Sequence, residues 1–298
     1  MSQVLDLIGL AKALQQATAY VGAAPDSWRE AGGPSRAMQG ELLARLPQMI
    51  RDIERIPELR AWARRTAEEI NAILEKEGFE IRLRPWADDG RYFGVASILD
   101  LTVEWSEKGT RTEMNVVREG RPQTYPGFLL ADGIDYLDVG EPKPLLRIPT
   151  RTGDRVYFYQ TPDEPSGFEL YDQVTALIAS RHPSQRFAHF GSTTIPQVKI
   201  RREVDIAWII DLAVPEHELQ ITQAKQEVRF GLNEIGARAK TATALGLRSK
   251  SFSPHPPEPY VIDSPFLIWI ERPEIATPLF VAYVTEEDWK EPGSLADI

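Results

Sequence analysis

The chain has 298 residues, 42% hydrophobic and 26% charged, enough apolar material to bury a sizeable core in one large domain or two. Its 44 acidic and 34 basic side chains give a formal charge of −10, which argues against a general nucleic-acid binder, whose domain is normally basic. There is no cysteine, hence no disulfide, no thiolate nucleophile and no thiolate metal ligand.

The N-terminus carries no basic leader, and its apolar run is broken by Asp6 and Lys12. It reads as neither a secretory signal nor a membrane span, and a cytoplasmic address is the default expectation. Residues 1–78 read as helical. Leu7, Leu10, Ala11 and Leu14 form one stripe at helix spacing, and Met38, Leu42, Leu46, Met49 and Ile53 form another. The Gly- and Pro-containing stretch 23–35 connects them, and Pro47 is expected to kink or restart the second helix. Trp62, Thr66, Ile70, Ile73 and Leu74 predict a long amphipathic helix closed near Gly78.

From Phe79 the period changes to two. Residues 79–84 alternate as a half-exposed strand, and 95–105 begin nearly all apolar, as a central strand covered on both faces does. Further strands are predicted at 145–149, 153–160 and 195–200, with helices at 168–179 and 203–212. A strand-like run, Glu227 to Leu232, meets a turn signal, Asn233 to Gly236, and then the small residues Ala237 to Ala244. A basic segment, Leu247 to Ser251, and a proline-rich one, Pro254 to Pro259, lead to two apolar runs, Phe266 to Ile270 and Leu279 to Val284. Periodicity alone leaves 237–245 open between strand and short helix, because Leu232, Ile235, Ala239, Ala242 and Leu245 also fit a helical stripe.

No metal-like spacing joins the four histidines, and no G-x-S-x-G elbow, P-loop or G-x-G-x-x-G motif is present. Asp88 and Asp89 beside Gly90 read as a turn. The tryptophans, such as Trp86, Trp105, Trp208 and Trp269, are expected to fill cores.

Three stretches in order resemble one family. Asn233 to Thr243 looks like the reactive-loop hinge of serpins, the serine-protease inhibitors. Tyr260 to Ile270 is similar to the family's C-terminal signature, and Pro278 to Val284 resembles its last core strand, with Ala282 where a glycine is usual. The resemblance covers roughly residues 93–288. It implies an α+β serpin-like fold: a mixed central β-sheet, smaller sheets, helices mainly in the N-terminal part, and an exposed reactive loop near the C-terminus. The chain is then one domain, with a divergent helical part at 1–90 and a β-rich part at 91–298 whose loop spans about 234–262. The family's shutter-helix motif has no match, and the chain is too short before Val95 for all the helices and strands serpins place there.

The implied activity is non-enzymatic: inhibition of a trypsin-like serine protease by a suicide substrate, with no cofactor, metal, nucleic acid or membrane. Counting from the hinge glutamate puts the cleaved bond at Lys250-Ser251, with Arg248-Ser249 second; a basic residue suits a specificity pocket carrying an aspartate. The hinge comprises Glu234, Gly236, Ala237, Ala239, Thr241 and Thr243. As a strand it would turn Ala237, Ala239, Thr241 and Thr243 inward and Arg238 and Lys240 outward, beside the 95–105 strand. The other reading is a non-inhibitory serpin-like binding or scaffold protein with a static loop.

Overall fold

Three helices lead the chain in the computed structural model, which describes residues 1–87, 92–118, 120–237 and 258–295. Strand β1 (Gln3–Val4) precedes α1 (Leu7–Val21). Asp6 caps α1 by accepting from the Gly9 amide at 2.7 Å, and Gly22 ends it with φ 73°. Helix α2 (Arg36–Ile53) runs on through Pro47 rather than restarting. The long helix expected from Trp62 is two elements. Residues Leu59–Arg64 form β2, and only Ala67–Lys76 form α3. The break is the Thr66/Glu69 capping box, which satisfies orphan amides at the helix start and fixes the boundary there.

The 95–105 stretch is likewise two strands, β3 (Gly94–Leu99) and β4 (Val103–Glu104). Its residues alternate between buried and partly exposed, so it is not covered on both faces. Next come the hairpin β5 (Thr110–Arg118) and β6 (Arg121–Leu130), then β7 (Asp135–Asp138), β8 (Leu145–Pro149) and β9 (Arg155–Gln160). Helix α4 (Phe168–Ser180) leads to β10 (His182–Pro183). The strand expected at 195–200 is split at Gln197 between β11 (Phe190–Pro196) and β12 (Val198–Val204), which belong to different sheets. In place of a helix at 203–212 there is one 3-10 turn, Ala207–Ile209. A small hairpin, β13 (Ala213–Val214) and β14 (Leu219–Gln220), precedes β15 (Gln226–Leu232) and β16 (Gly236–Ala237). Strands β17 (Glu258–Val261), β18 (Phe266–Glu271) and β19 (Phe280–Val284) complete the set.

The largest sheet has the order β1-β19-β18-β9-β8-β7-β10, all antiparallel. Its middle strands feed two cores, which is why β19 and residues 266–270 of β18 are apolar at every position. Leu267, Trp269, Val281 and Tyr283 face α1, α2 and α4, while Phe266, Ile268, Phe280 and Ala282 face the other sheets. Ala282 is fully buried beside Ile268. A four-stranded sheet, β17-β11-β6-β5, flanks this second core, with β11 and β17 parallel. Among the described residues no helix is long and apolar enough to cross a membrane.

Candidate functional site

The remaining strands form an interrupted sheet. On one side β2 pairs with β3, and on the other β12 pairs with β15, both antiparallel. Among the described residues β3 and β15 each have a single strand neighbour, so each presents an unpaired edge. Between them lies a cavity of about 280 Å³, lined by Val95, Ser97 and Leu99 of β3 and by Gln226 and Val228 of β15. A second void of about 70 Å³, lined by Leu99, Leu101, Phe230 and Ala237, lies along the same two strands.

One end of this slot is closed by the turn after β15. The Asn233 amide donates to the Gly236 carbonyl at 3.0 Å, and the Asn233 side chain accepts from the Ile235 amide at 2.9 Å. Gly236 and Ala237 then ladder antiparallel onto Glu104 and Val103. Only glycine fits at 236: an added Cβ would lie 2.1 Å from the Val103 carbonyl oxygen. Trp105, 1% exposed and packed near Phe128 and Phe158, donates from its indole nitrogen to the Asn233 carbonyl at 2.9 Å. The Glu234 side chain is 6% exposed and meets the Arg111 guanidinium of β5 at 2.8 Å, while Arg111 reaches Glu291 at the same distance. Glu234 Oε2 is buried with no hydrogen-bond partner among the described residues.

A chain segment also crosses the slot. Residues 79–84 were expected as a strand, and their side chains do alternate, with Phe79, Ile81 and Leu83 inward and Glu80, Arg82 and Arg84 exposed. They join no ladder among the described residues. Side chains satisfy their backbone instead. The Glu227 carboxylate accepts from the amides of Glu80 at 2.6 Å and Ile81 at 3.0 Å. Asn71 brackets Leu83 at 2.8 and 2.9 Å, and Gln223 brackets Arg84 at 2.8 and 3.1 Å. Burial would raise the Glu227 pKa, but the Arg229 guanidinium and the two amides outweigh it and hold it below the usual value. This strap spans from α3 to β15 and roofs the 280 Å³ cavity, while α1 lines it with Leu10, Ala13 and Leu14.

Of the sequence-predicted site residues, Glu234, Gly236 and Ala237 lie together at the closed end of the slot. Ala239, Thr241, Thr243, Arg248, Ser249, Lys250 and Ser251 lie outside the described residues, as do Asp88 and Asp89. The sequence reading missed Arg111, Glu227 and the strap; a buried Glu in a turn signals some cation partner, but not which one. Among the described residues no three His, Asp or Glu side chains gather as a metal site.

No protein-family model matches the chain, and no curated protein matches it. Solved structures do. A thermophilic serpin, tengpin, in its native state superposes with TM-score 0.58 at 11% identity, over 96% of this chain and 88% of that one. Thyroxine-binding globulin, solved with thyroxine, gives 0.57 at 10% identity over 95% and 92%. Serpin48 of the insect Tenebrio molitor gives 0.53 at 12% identity over 95% and 91%. The fold is therefore the serpin fold. The likeness extends through the first ninety residues, beyond the 93–288 stretch that the sequence motifs cover.

Proposed function

We propose that the chain inhibits a trypsin-like serine protease, one serpin-like domain acting as a suicide substrate. The protease attacks Lys250-Ser251, with Arg248-Ser249 as the second choice, and the freed hinge from Glu234 through Ala239, Thr241 and Thr243 adds as a strand between β3 and β15. Trapping of the acyl-enzyme then comes from that movement and from no catalytic residue of this chain.

One observation carries the reading: Gly236 and Ala237 already pair with β4 at the head of a slot whose two sides have no strand partner across it among the described residues. Continuing that register sets Thr241 opposite Leu99 and Gly246 opposite Gly94. The phase also supports it. Ala237 is 3% exposed and sits in the main core, so alternation turns Ala239, Thr241 and Thr243 to the same side and keeps Arg238 and Lys240 off it. The opposite register would bury both cations, at a cost of several kcal/mol each if unpaired. Each backbone hydrogen bond formed contributes about 0.5–1.5 kcal/mol net, so a strand bonded on both edges is downhill.

The strap favours a second reading, a serpin-like binding or scaffold protein whose loop stays static, because it lies tied across the slot. Incubation with trypsin followed by a denaturing gel separates the two. An SDS-stable covalent complex, abolished in Thr241→Arg and replaced by plain cleavage, is expected for the inhibitor. Cleavage of the native chain with no complex and no gain in melting temperature would establish the static protein instead.

A further inference from the structure

The 280 Å³ cavity is larger than the ~150 Å³ apolar void that already admits benzene, and it approaches the size of small-molecule sites. Its apolar walls are largely branched aliphatic side chains: Leu10 and Leu14 of α1, Ile81 of the strap, Val95 of β3, Val228 of β15 and Ile209. The second void of about 70 Å³ continues it along the same two strands, with Leu99 and Phe280 lining both, so the space is long rather than round. The charged groups on the lining are already engaged. Glu77 pairs with Arg60 at 2.8 Å, Glu227 with Arg229 at 2.9 Å, Arg82 with Glu75 at 3.8 Å and Lys225 with Glu203. Asp6 is taken up as the cap of α1, and Asp100 lies in the field of Arg60. Polar side chains turn to the backbone: Ser97 donates to the Gly9 carbonyl at 2.5 Å, and Gln226 brackets Asp6 at 3.0 and 3.2 Å. Among the described residues, the edges of β3 and β15 add N–H and C=O groups that no strand pairs.

A charged ligand would surrender its hydration here to meet side chains whose charges are already matched. A neutral chain gives up little and gains burial and dispersion contacts with the walls. The long seat suits a linear chain better than a compact ring, and one hydroxyl can both donate to and accept from a strand edge. We propose that this cavity binds an uncharged, linear alcohol of about ten carbons, a size scaled from benzene in the smaller void. Its tail lies along β3 and β15 beneath the strap, and its hydroxyl meets the backbone of one edge. Binding stands independently of the inhibitor reading. Only the further effect, that an occupant obstructs strand addition between β3 and β15, rests on it.

The test is calorimetric titration of the uncleaved full chain at pH 7.5 with 1-octanol, cyclooctanol, octanoate and octylamine. Octanol is expected to bind at least tenfold tighter than either ion and severalfold tighter than cyclooctanol. Seated under the strap, it should also slow hydrogen exchange at the Glu80 and Ile81 amides at least threefold. Ala13→Phe, which fills the chamber from α1, should abolish binding, and Ile81→Trp fills it from the strap should the helix variant not fold. No binding of octanol, an ion or cyclooctanol that matches it, unchanged exchange at the strap, or full affinity in the filled variants overturns the proposal. Because no protease is present, none of these results bears on complex formation with trypsin, and failure of that complex leaves them untouched.

Discussion

Arg111 donates from its Nε to the Glu234 carboxylate at 2.8 Å, tying the turn at the head of the slot to strand β5. Glu234 is the buried partner and Arg111 the exposed one, and the second Glu234 oxygen has no donor among the described residues. Removing the cation leaves a buried charge uncompensated, whereas removing both charges does not. Arg111→Ala should cost about 1–3 kcal/mol, discounted for the exposure of the arginine, and Arg111→Ala/Glu234→Gln should recover part of that loss. Urea unfolding of the two variants measures the difference; equal midpoints for both would show that the pair does not hold the turn.

Glu227 holds the strap through two amides and Arg229. Glu227→Ala should free the Glu80 and Ile81 amides, and their hydrogen exchange should quicken without a matching change at β18. Because the Glu227 pKa is depressed in the fold, its contribution is present above the unfolded value and is lost as pH falls through the folded one. The protection factor at Glu80, its measured exchange rate set against the intrinsic rate at each pH, should therefore fall on acidification in the native chain and stay flat in the variant.

Arg272 forks between Glu58, at 2.8 Å to each oxygen, and Asp154, at 2.8 and 2.9 Å. It fastens the approach to β2 onto the turn between β18 and β19. The hydrogen bonds from Arg272 hold the Glu58 pKa below its ordinary value despite burial. The stability they supply is complete above the unfolded pKa of Glu58 and is lost on further acidification. Arg272→Met should destabilise the chain by about 2–4 kcal/mol at pH 7, since it leaves Asp154 buried without its cation. Melting temperatures from pH 7 to pH 3 should show native and variant converging at the acid end.

Asp6 behaves in the opposite sense. Its pKa is raised to about 6 by desolvation, against which the Gly9 and Ile8 amides work. A raised pKa means that stability is full below the unfolded value and declines as pH rises through the folded one. Asp6→Asn, which keeps a capping oxygen, should gain on the order of 1–3 kcal/mol at pH 7 and nothing near pH 4. A variant no more stable than the native chain at pH 7 would show that the carboxylate is adequately solvated.

Residues whose pattern is local were readable from the sequence. The all-apolar runs of β18 and β19, the turn at Asn233 to Gly236 and helix α4 lie where periodicity and turn chemistry put them. Trp62 was misread because it stands four residues before Thr66 and extends the Ile70–Leu74 stripe backwards; the Thr66/Glu69 box was the signal to stop. The alternation of Phe79, Ile81 and Leu83 was real, but partners distant in sequence, Glu227, Asn71 and Gln223, replace the ladder. The slot has no pattern of its own. An unpaired edge on β3 looks in sequence like a paired one, since the same side chains alternate either way. At the site, Glu234, Gly236 and Ala237 were found through turn and hinge chemistry, whereas Arg111 arrives from β5, 123 residues away.

The two-residue pairing of Gly236 and Ala237 with β4 has a kinetic meaning. Starting a strand between distant segments requires closing a loop before any contact repays it, and that search dominates the barrier. Here the nucleus exists at rest, so a strand added on this line would propagate as a zipper from its first rungs, its speed governed by how readily the strap yields.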